Sequence, residues 1–299
     1  VGRYITPYGI GLDLGPEGFR WVYDVTDYAS VLSDRVTLSA GNQQELIDLR
    51  FEFIRGTPPR EVKKIHYIAN RESRQYKSIA DDTYFKNDTF NFLPESKTFK
   101  LITRITGHGH NGESGNGKIH CCEWADKQHN LVFNDESSFS EEWDIWQNDK
   151  CALNPVEDQG GNWAPPRAGW CPAAPVDDYN FELTDHVKDG KISINYGVEP
   201  VPADNVGQGN GNYVVSLHLV EYGDISHSLD AAVKDIISPN SWEFYRRINP
   251  TCATPRIVVQ NKGKEALVGA LITYGVEGGN PIEFYWEGDL KFMEEEIVD

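Results

Sequence analysis

Tyr213-Val-Val-Ser-Leu-His-Leu-Val-Glu-Tyr222 is built of apolar and aromatic residues with isolated polar ones between them, and Gly223 follows at once. This is the pattern of a β-strand closed by a turn signal. Similar stretches lie on either side. Asp48–Arg55 alternates in part and stops at Gly56-Thr-Pro-Pro59. Thr98–Thr106 places Phe99, Leu101 and, after a shift, Ile105 at apolar positions. Asn130–Phe133, Glu142–Trp146, Lys191–Tyr196 and Ile282–Trp286 read as short strands, and Arg256–Gln260 with Ala266–Tyr274 reads as a hairpin. Helical periodicity is confined to Thr26–Leu32 and Ser228–Ile237. Many short strands separated by turn residues predict an all-β protein of packed sandwiches.

The composition agrees. Of 299 residues, 27 are Gly and 1 is Met, which suits a loop-rich β protein better than a helical bundle. Hydrophobic residues make up 39% and aromatic residues 12%, enough material for packed cores. With 28 Lys+Arg against 46 Asp+Glu the net charge is −18, which repels phosphate backbones and anionic lipid. No nucleic-acid partner is expected. No apolar run approaches the roughly 18 residues that would span a bilayer, so no membrane insertion is expected, and no leader pattern opens the chain at Val1.

Two boundaries stand out, one at Gly56–Arg60 and one near Gly223–Ser226. They predict three parts: residues 1–60, 61–224 and 225–299. The first and last are short for complete sandwiches and are read as parts of domains. The cysteines are Cys121, Cys122, Cys151, Cys171 and Cys252, with no C-x-x-C pair. A Cys151–Cys171 bridge in an exported protein would close a loop of about 20 residues and contribute roughly 3 kcal/mol. Two buried free thiols are the other reading. Cys121 and Cys122 would face opposite ways in a strand and are not expected to pair with each other.

Two segments carry chemistry. In Ile105–Trp124, His108 and His110 are two apart and face the same way if extended. With His120, Glu123 or His129 they could hold a transition metal. Hydrogen-bonded histidines, or polar contacts to a sugar, are the preferred reading, and neither metal nor cofactor is expected. In Asp158–Pro172, Trp163 and Trp170 bracket Arg167 in a Pro-rich loop. Such a loop can offer flat aromatic faces to sugar rings and a forked cation to carbonyl or carboxylate oxygens.

These residues resemble bacterial peptide-N-glycosidase F and its relatives, which release N-linked glycans at the glycosyl-asparagine amide. The blocks are Gly2–Tyr8 with Asp24-Val-Thr-Asp27, Ile105-Thr-Gly-His-Gly-His110 with Cys121-Cys-Glu-Trp124, and Gly161–Pro172. The resemblance covers roughly residues 2–224. It implies two adjacent jelly-roll β-sandwiches of eight strands each, the first incomplete in this chain and the second beginning near Val62. The segment 225–299 is read as a partial immunoglobulin-like β domain. The resemblance also implies a Cys151–Cys171 disulfide, a secreted or cell-surface bacterial protein, and an N-linked glycan or glycopeptide as partner, with other domains or chains of a surface assembly as further partners.

Carried over residue by residue, Glu123 and Arg167 are the catalytic candidates, and His108, His110, Trp124, Trp163 and Trp170 the substrate-binding ones. The family's main catalytic Asp would lie upstream of the block at Gly2, so this chain alone is expected to be inactive. A third acid of the family falls on Leu38, with Ala40 in place of a nearby Trp. The alternative is a non-catalytic glycan- or protein-binding module. A copper site like that of jelly-roll monooxygenases ranks last, because the only Met is Met293.

Overall fold

The computed structural model describes residues 1–5, 16, 18, 20–39, 47–111, 121–147, 151, 166–172, 174–201, 211–242, 245 and 254–299. They form two compact units, one of Val1–Glu52 with Val62–Gly223 and one of Phe53–Glu61 with Asp224–Asp299.

The first unit is organised by two four-stranded antiparallel sheets. One has the order β1 (Arg60–Gln75), β10 (Asn212–Ile225), β3 (Thr98–His108) and β8 (Tyr179–Glu182). The other has the order β2 (Asp88–Asn91), β9 (Lys191–Val198), β6 (Gln128–Phe133) and β7 (Glu141–Asp144). Eight strands in two sheets around one core make the jelly roll. Phe99, Leu101 and Ile105 of β3 and Tyr213, Val215, Leu217 and Leu219 of β10 meet Leu131 and Phe133 of β6 and Ile192, Ile194 and Tyr196 of β9. A short β4 (His110–Asn111) pairs with β5 (Cys121–Cys122) beside it.

The β3–β10 ladder runs unbroken from Thr98↔Tyr222 to His108↔Asn212, so the shift expected before Ile105 does not occur. Thr103 occupies the inner row between Leu101 and Ile105, and its hydroxyl donates to the Tyr179 carbonyl at 3.2 Å. That bond satisfies the buried hydroxyl, which is why a polar residue fits an apolar row. The opposite face of β3 is covered too. Ile102, Val220 and Tyr222 pack with Tyr28, Val25 and Leu32 from the chain's first part. Asp27 holds this layer down by accepting from Tyr222 Oη at 2.6 Å and pairing with Lys100.

The first part otherwise departs from its strand pattern. Among the described residues before Arg60 there is one 3-10 turn, Thr26–Tyr28, and two isolated bridges, Tyr4↔Pro175 and Ile5↔Pro172. The strand expected at Asp48–Arg55 is not formed, and Phe53 and Ile54 are 82% and 94% exposed. No described strand lies alongside to take its backbone hydrogen bonds.

The second unit contains the sheet β11 (Ala231–Ser238), β12 (Arg256–Asn261), β15 (Glu295–Val298) and the hairpin β13 (Leu267–Tyr274) with β14 (Ile282–Leu290). Its core is Val259, Trp286, Leu290 and Val298. Two expectations are corrected here. The helix expected over Ser228–Ile237 is not formed, and Ala231–Ser238 is strand instead: two register shifts along β11 break the two-residue alternation and mimic a helical spacing. The segments 256–260 and 266–274 do not pair with each other. The Asn261 side chain donates to the carbonyls of Glu265 and Leu290, both at 2.8 Å, and turns the chain out of one sheet into the other. The only described α-helix, α1 (Tyr76–Ala80), has no signal in the sequence pattern.

Candidate functional site

The site is assembled where β3 ends. The strap of residues 166–172 crosses this end and is held by backbone hydrogen bonds on several sides. Gly107 N donates to the Ala168 carbonyl at 2.9 Å, Ala168 N to Glu123 at 3.0 Å, Gln147 N to Arg167 at 2.8 Å and Gly169 N to Ile145 at 2.6 Å. Two glycines make the approach possible. A Cβ on Gly107 would sit 1.9 Å from the Cys122 carbonyl oxygen, and one on Gly169, which has φ +78°, would sit 2.1 Å from that of Ile105.

Cys171 in the strap is bonded to Cys151, with Cα atoms 5.1 Å apart. The 20-residue separation sets an expected loss of about 3 kcal/mol when both are replaced by Ser, readable as a lower urea midpoint. An unchanged midpoint would refute this. Cys121 and Cys122 are also bonded to each other, across a cis peptide that sets their Cα atoms 3.0 Å apart, so the expectation that they would not pair is corrected.

The side chains of the strap turn inward. Arg167 is 1% exposed and its Nε donates to Glu123 Oε1 at 3.3 Å. Its guanidinium lies between two indoles, 4.5 Å from the centroid of Trp124 and 4.8 Å from that of Trp170. Cation–π attraction and the carboxylate together offset the cost of burying this charge. Trp170 is 5% exposed and donates from Nε1 to the Gly107 carbonyl at 2.8 Å. On its other contact it stacks with His108, centroids 5.4 Å apart. Trp170 therefore offers no open face to a sugar; it is the wall between Arg167 and His108. Trp124 is half-buried, and Glu123 keeps 18% of its side chain in solvent.

His108 accepts at Nε2 from Thr106 Oγ1 at 2.7 Å and from Arg3 Nη2 at 3.3 Å. Arginine can only donate, so the imidazole is neutral with its proton on Nδ1. Burial, followed by the charges of Arg3 and Arg71, pushes its pKa down to about 4. Arg3 reaches this place because its carbonyl accepts from Val176 N at 2.8 Å and Ile5 bridges to Pro172, at the exit of the strap.

The structure thus brings Glu123, Trp124, Arg167, Trp170 and His108 together. The side chain of His110 and the whole of Trp163 and His120 lie outside the described residues. His129 does not join them. It is buried in the core, with Nδ1 2.8 Å from Tyr196 Oη, so it is not available for the metal grouping. Leu38 is 43% exposed and Ala40 lies outside the described residues. The sequence reading missed Arg3, whose spacing from His108 in the chain gives no hint of contact.

Comparison with known proteins falls on the same residues. The family model "Peptide-N-glycosidase F, C terminal" matches residues 75–220. Peptide-N(4)-(N-acetyl-beta-D-glucosaminyl)asparagine amidase F of Elizabethkingia miricola is 29% identical over 232 residues. That match takes in 74% of this chain and 63% of the relative, so the chain spans less than two thirds of the relative's length. Among solved structures, PNGase F, described as a glycosylasparaginase from Flavobacterium meningosepticum, superposes with a TM-score of 0.52 at 22% identity. The match covers 75% of this chain and 73% of that one. Recombinant peptide: N-glycanase F gives 0.52 at 23% identity, over 75% and 72% of the two chains. At such identities the superpositions show a common fold.

Proposed function

The chain belongs to a peptide-N-glycosidase F-like family, and on that premise we propose that it forms part of an exported bacterial amidase acting on N-glycosylated asparagine. The observation that carries this reading is the Glu123–Arg167 contact of 3.3 Å inside a tryptophan-walled site. Water adds to the side-chain carbonyl carbon, the bond to the sugar-bearing nitrogen breaks, and that nitrogen takes up a proton. Asparagine becomes aspartate. In this reading residues 1–60 complete a first jelly roll with upstream sequence, residues 61–224 are the second, and 225–299 an appended immunoglobulin-like part. The Cys151–Cys171 disulfide suits an exported protein.

Glu123 orients the glycan or steadies the forming oxyanion's neighbours, and Trp124 offers a sugar contact. Arg167 acts differently from a free oxygen clamp. Enclosed by Trp124 and Trp170, it fixes the Glu123 carboxylate, and is therefore a positioning residue. The resemblance places the primary carboxylate upstream of Gly2, so hydrolysis is proposed for the full-length protein. There, incubation with a glycopeptide should give the Asn-to-Asp mass change. Glu123→Gln should slow it by about 10²-fold, the scale of misplacing a substrate by about 1 Å. No conversion by a folded full-length protein would sink the amidase reading.

One observation favours the alternative, a glycan-binding module without catalysis: the position assigned to the family's third acid is the half-exposed, apolar Leu38. Binding of the glycopeptide without conversion would select it.

A further inference from the structure

A second cluster of charge adjoins the site, and its sign is opposite to that of the protein as a whole. Arg3 donates to His108 and has no other hydrogen bond or ion pair among the described residues. Arg71, exposed on edge strand β1, has none among them. Register brings them together. Asn212 of β10 faces His108 of β3, and the Asn212 side chain bonds Ser73 Oγ of β1. Arg71, two residues before Ser73 on the same strand, therefore stands at the His108 end of the sheet.

The ionic neighbours that act on Arg3 are Arg71 and Arg104, and those that act on His108 are Arg3 and Arg71. Arg104 is neutralised by Asp178 at 2.5 Å. Arg3 and Arg71 have no such carboxylate among the described residues. Arg71 also holds φ +60°, a backbone setting uncommon for a side chain of its size. Arg3 is half-buried, and burial with its cationic neighbours holds its pKa down to about 10, so it remains charged at neutral pH. In a chain of net charge −18, two guanidinium groups with no carboxylate partner among the described residues, beside a neutral imidazole, form a local positive focus.

We infer that Arg3 and Arg71, with His108 between them, form a subsite for a carboxylate carried by the ligand of the Glu123–Arg167 site. This rests on the glycopeptide reading above and specifies it: the preferred ligand is acidic. The planar guanidinium fork matches a carboxylate, and the Nδ1–H of His108 supplies a further donor. Trp170 separates this subsite from Arg167, contacting His108 with centroids 5.4 Å apart and Arg167 at 4.8 Å, so one ligand can span both. The carboxylate can belong to an acidic sugar or to an acidic residue beside the glycosylated asparagine.

Calorimetry on the full chain with three glycopeptides of one sequence tests this. The first has a neutral glycan and neutral peptide, the second a glycan ending in a uronic acid, and the third an Asp next to the glycosylated Asn. At least one acidic ligand should bind about tenfold more tightly than the neutral one, with the advantage shrinking as salt is raised. Arg3→Gln and Arg71→Gln should each bring the acidic-to-neutral ratio towards one. Arg71 is exposed, so folding is not at stake in its variant. The pattern across the two acidic ligands identifies which source the subsite reads.

Acidic ligands within twofold of the neutral one would overturn the subsite and leave the glycopeptide reading standing. A ratio that survives both substitutions would overturn it as well. If no glycopeptide binds but free glucuronate does, and Arg71→Gln abolishes that binding, the subsite stands and the glycopeptide reading falls. Binding of neither would remove both.

Discussion

Arg167→Met should cost about 3 kcal/mol of stability, seen as a lower urea midpoint with an unchanged slope. The reasoning starts from burial. The guanidinium is 1% exposed, stacked on two indoles and paired with Glu123. Methionine fills similar volume but abandons the Glu123 carboxylate and removes both cation–π contacts. Each such contact is worth about 1–2 kcal/mol when desolvated. Glu123 retains 18% side-chain exposure and can recover some hydration, which sets the estimate at the low end of the buried-pair range. Arg167→Lys should recover only part of the loss, because an ammonium cannot lie flat between two rings. A double-mutant cycle with Glu123→Gln should give a coupling of about 1 kcal/mol or more. A total loss below 1 kcal/mol for Arg167→Met would mean that the pair contributes no more than an exposed one.

Acid should destabilise the fold well before the ordinary carboxylates titrate. Burial pushes His129 from 6.5 to about 3, and pushes His108 and His218 to about 4. Each folded pKa lies below its unfolded value, so the unfolded chain binds protons more readily between them. Stability is therefore complete above about pH 6.5 and falls as pH drops towards 4 and 3. His129 sits with Nδ1 on Tyr196 Oη, its ring edge-on to Tyr213, and Nε2 without a partner among the described residues. Charging it in place is costly; its contribution alone is on the order of 4 kcal/mol across that window. Asp126 and Asp178, both raised by burial, oppose the trend in part. Urea unfolding at pH 7.5, 5.5 and 4.5 should show the decline, and His129→Phe should flatten it. A wild-type midpoint independent of pH over that span would contradict the argument.

Some of this molecule is legible in its residues. β10 and β3 advertise themselves through alternation, and two residues singled out from the sequence, Glu123 and Arg167, lie in contact. What escaped has physical causes. β11 carries register shifts that disguise its period. Asp48–Arg55 has a strand's composition, but strand formation needs a hydrogen-bonding neighbour, which composition does not reveal. In the sequence Arg167 reads as a forked cation offered to ligand oxygens; its two indole neighbours, one 43 positions upstream, turn it inward onto Glu123 instead. The Arg3–Arg71–His108 convergence depends on the register of three strands and a bridge at Pro172, none of which leaves a local mark.

The two faces of β3 answer to different masters. Its odd-numbered side chains serve the sandwich interior, while Arg104, Thr106 and His108 look towards the site and the layer above it. A mutation at His108 can therefore re-tune ligand choice with little effect on the sandwich interior, whereas Ile102 on the same face belongs to the second apolar layer. Within such a family, this strand gives evolution a way to vary specificity and folding on separate tracks.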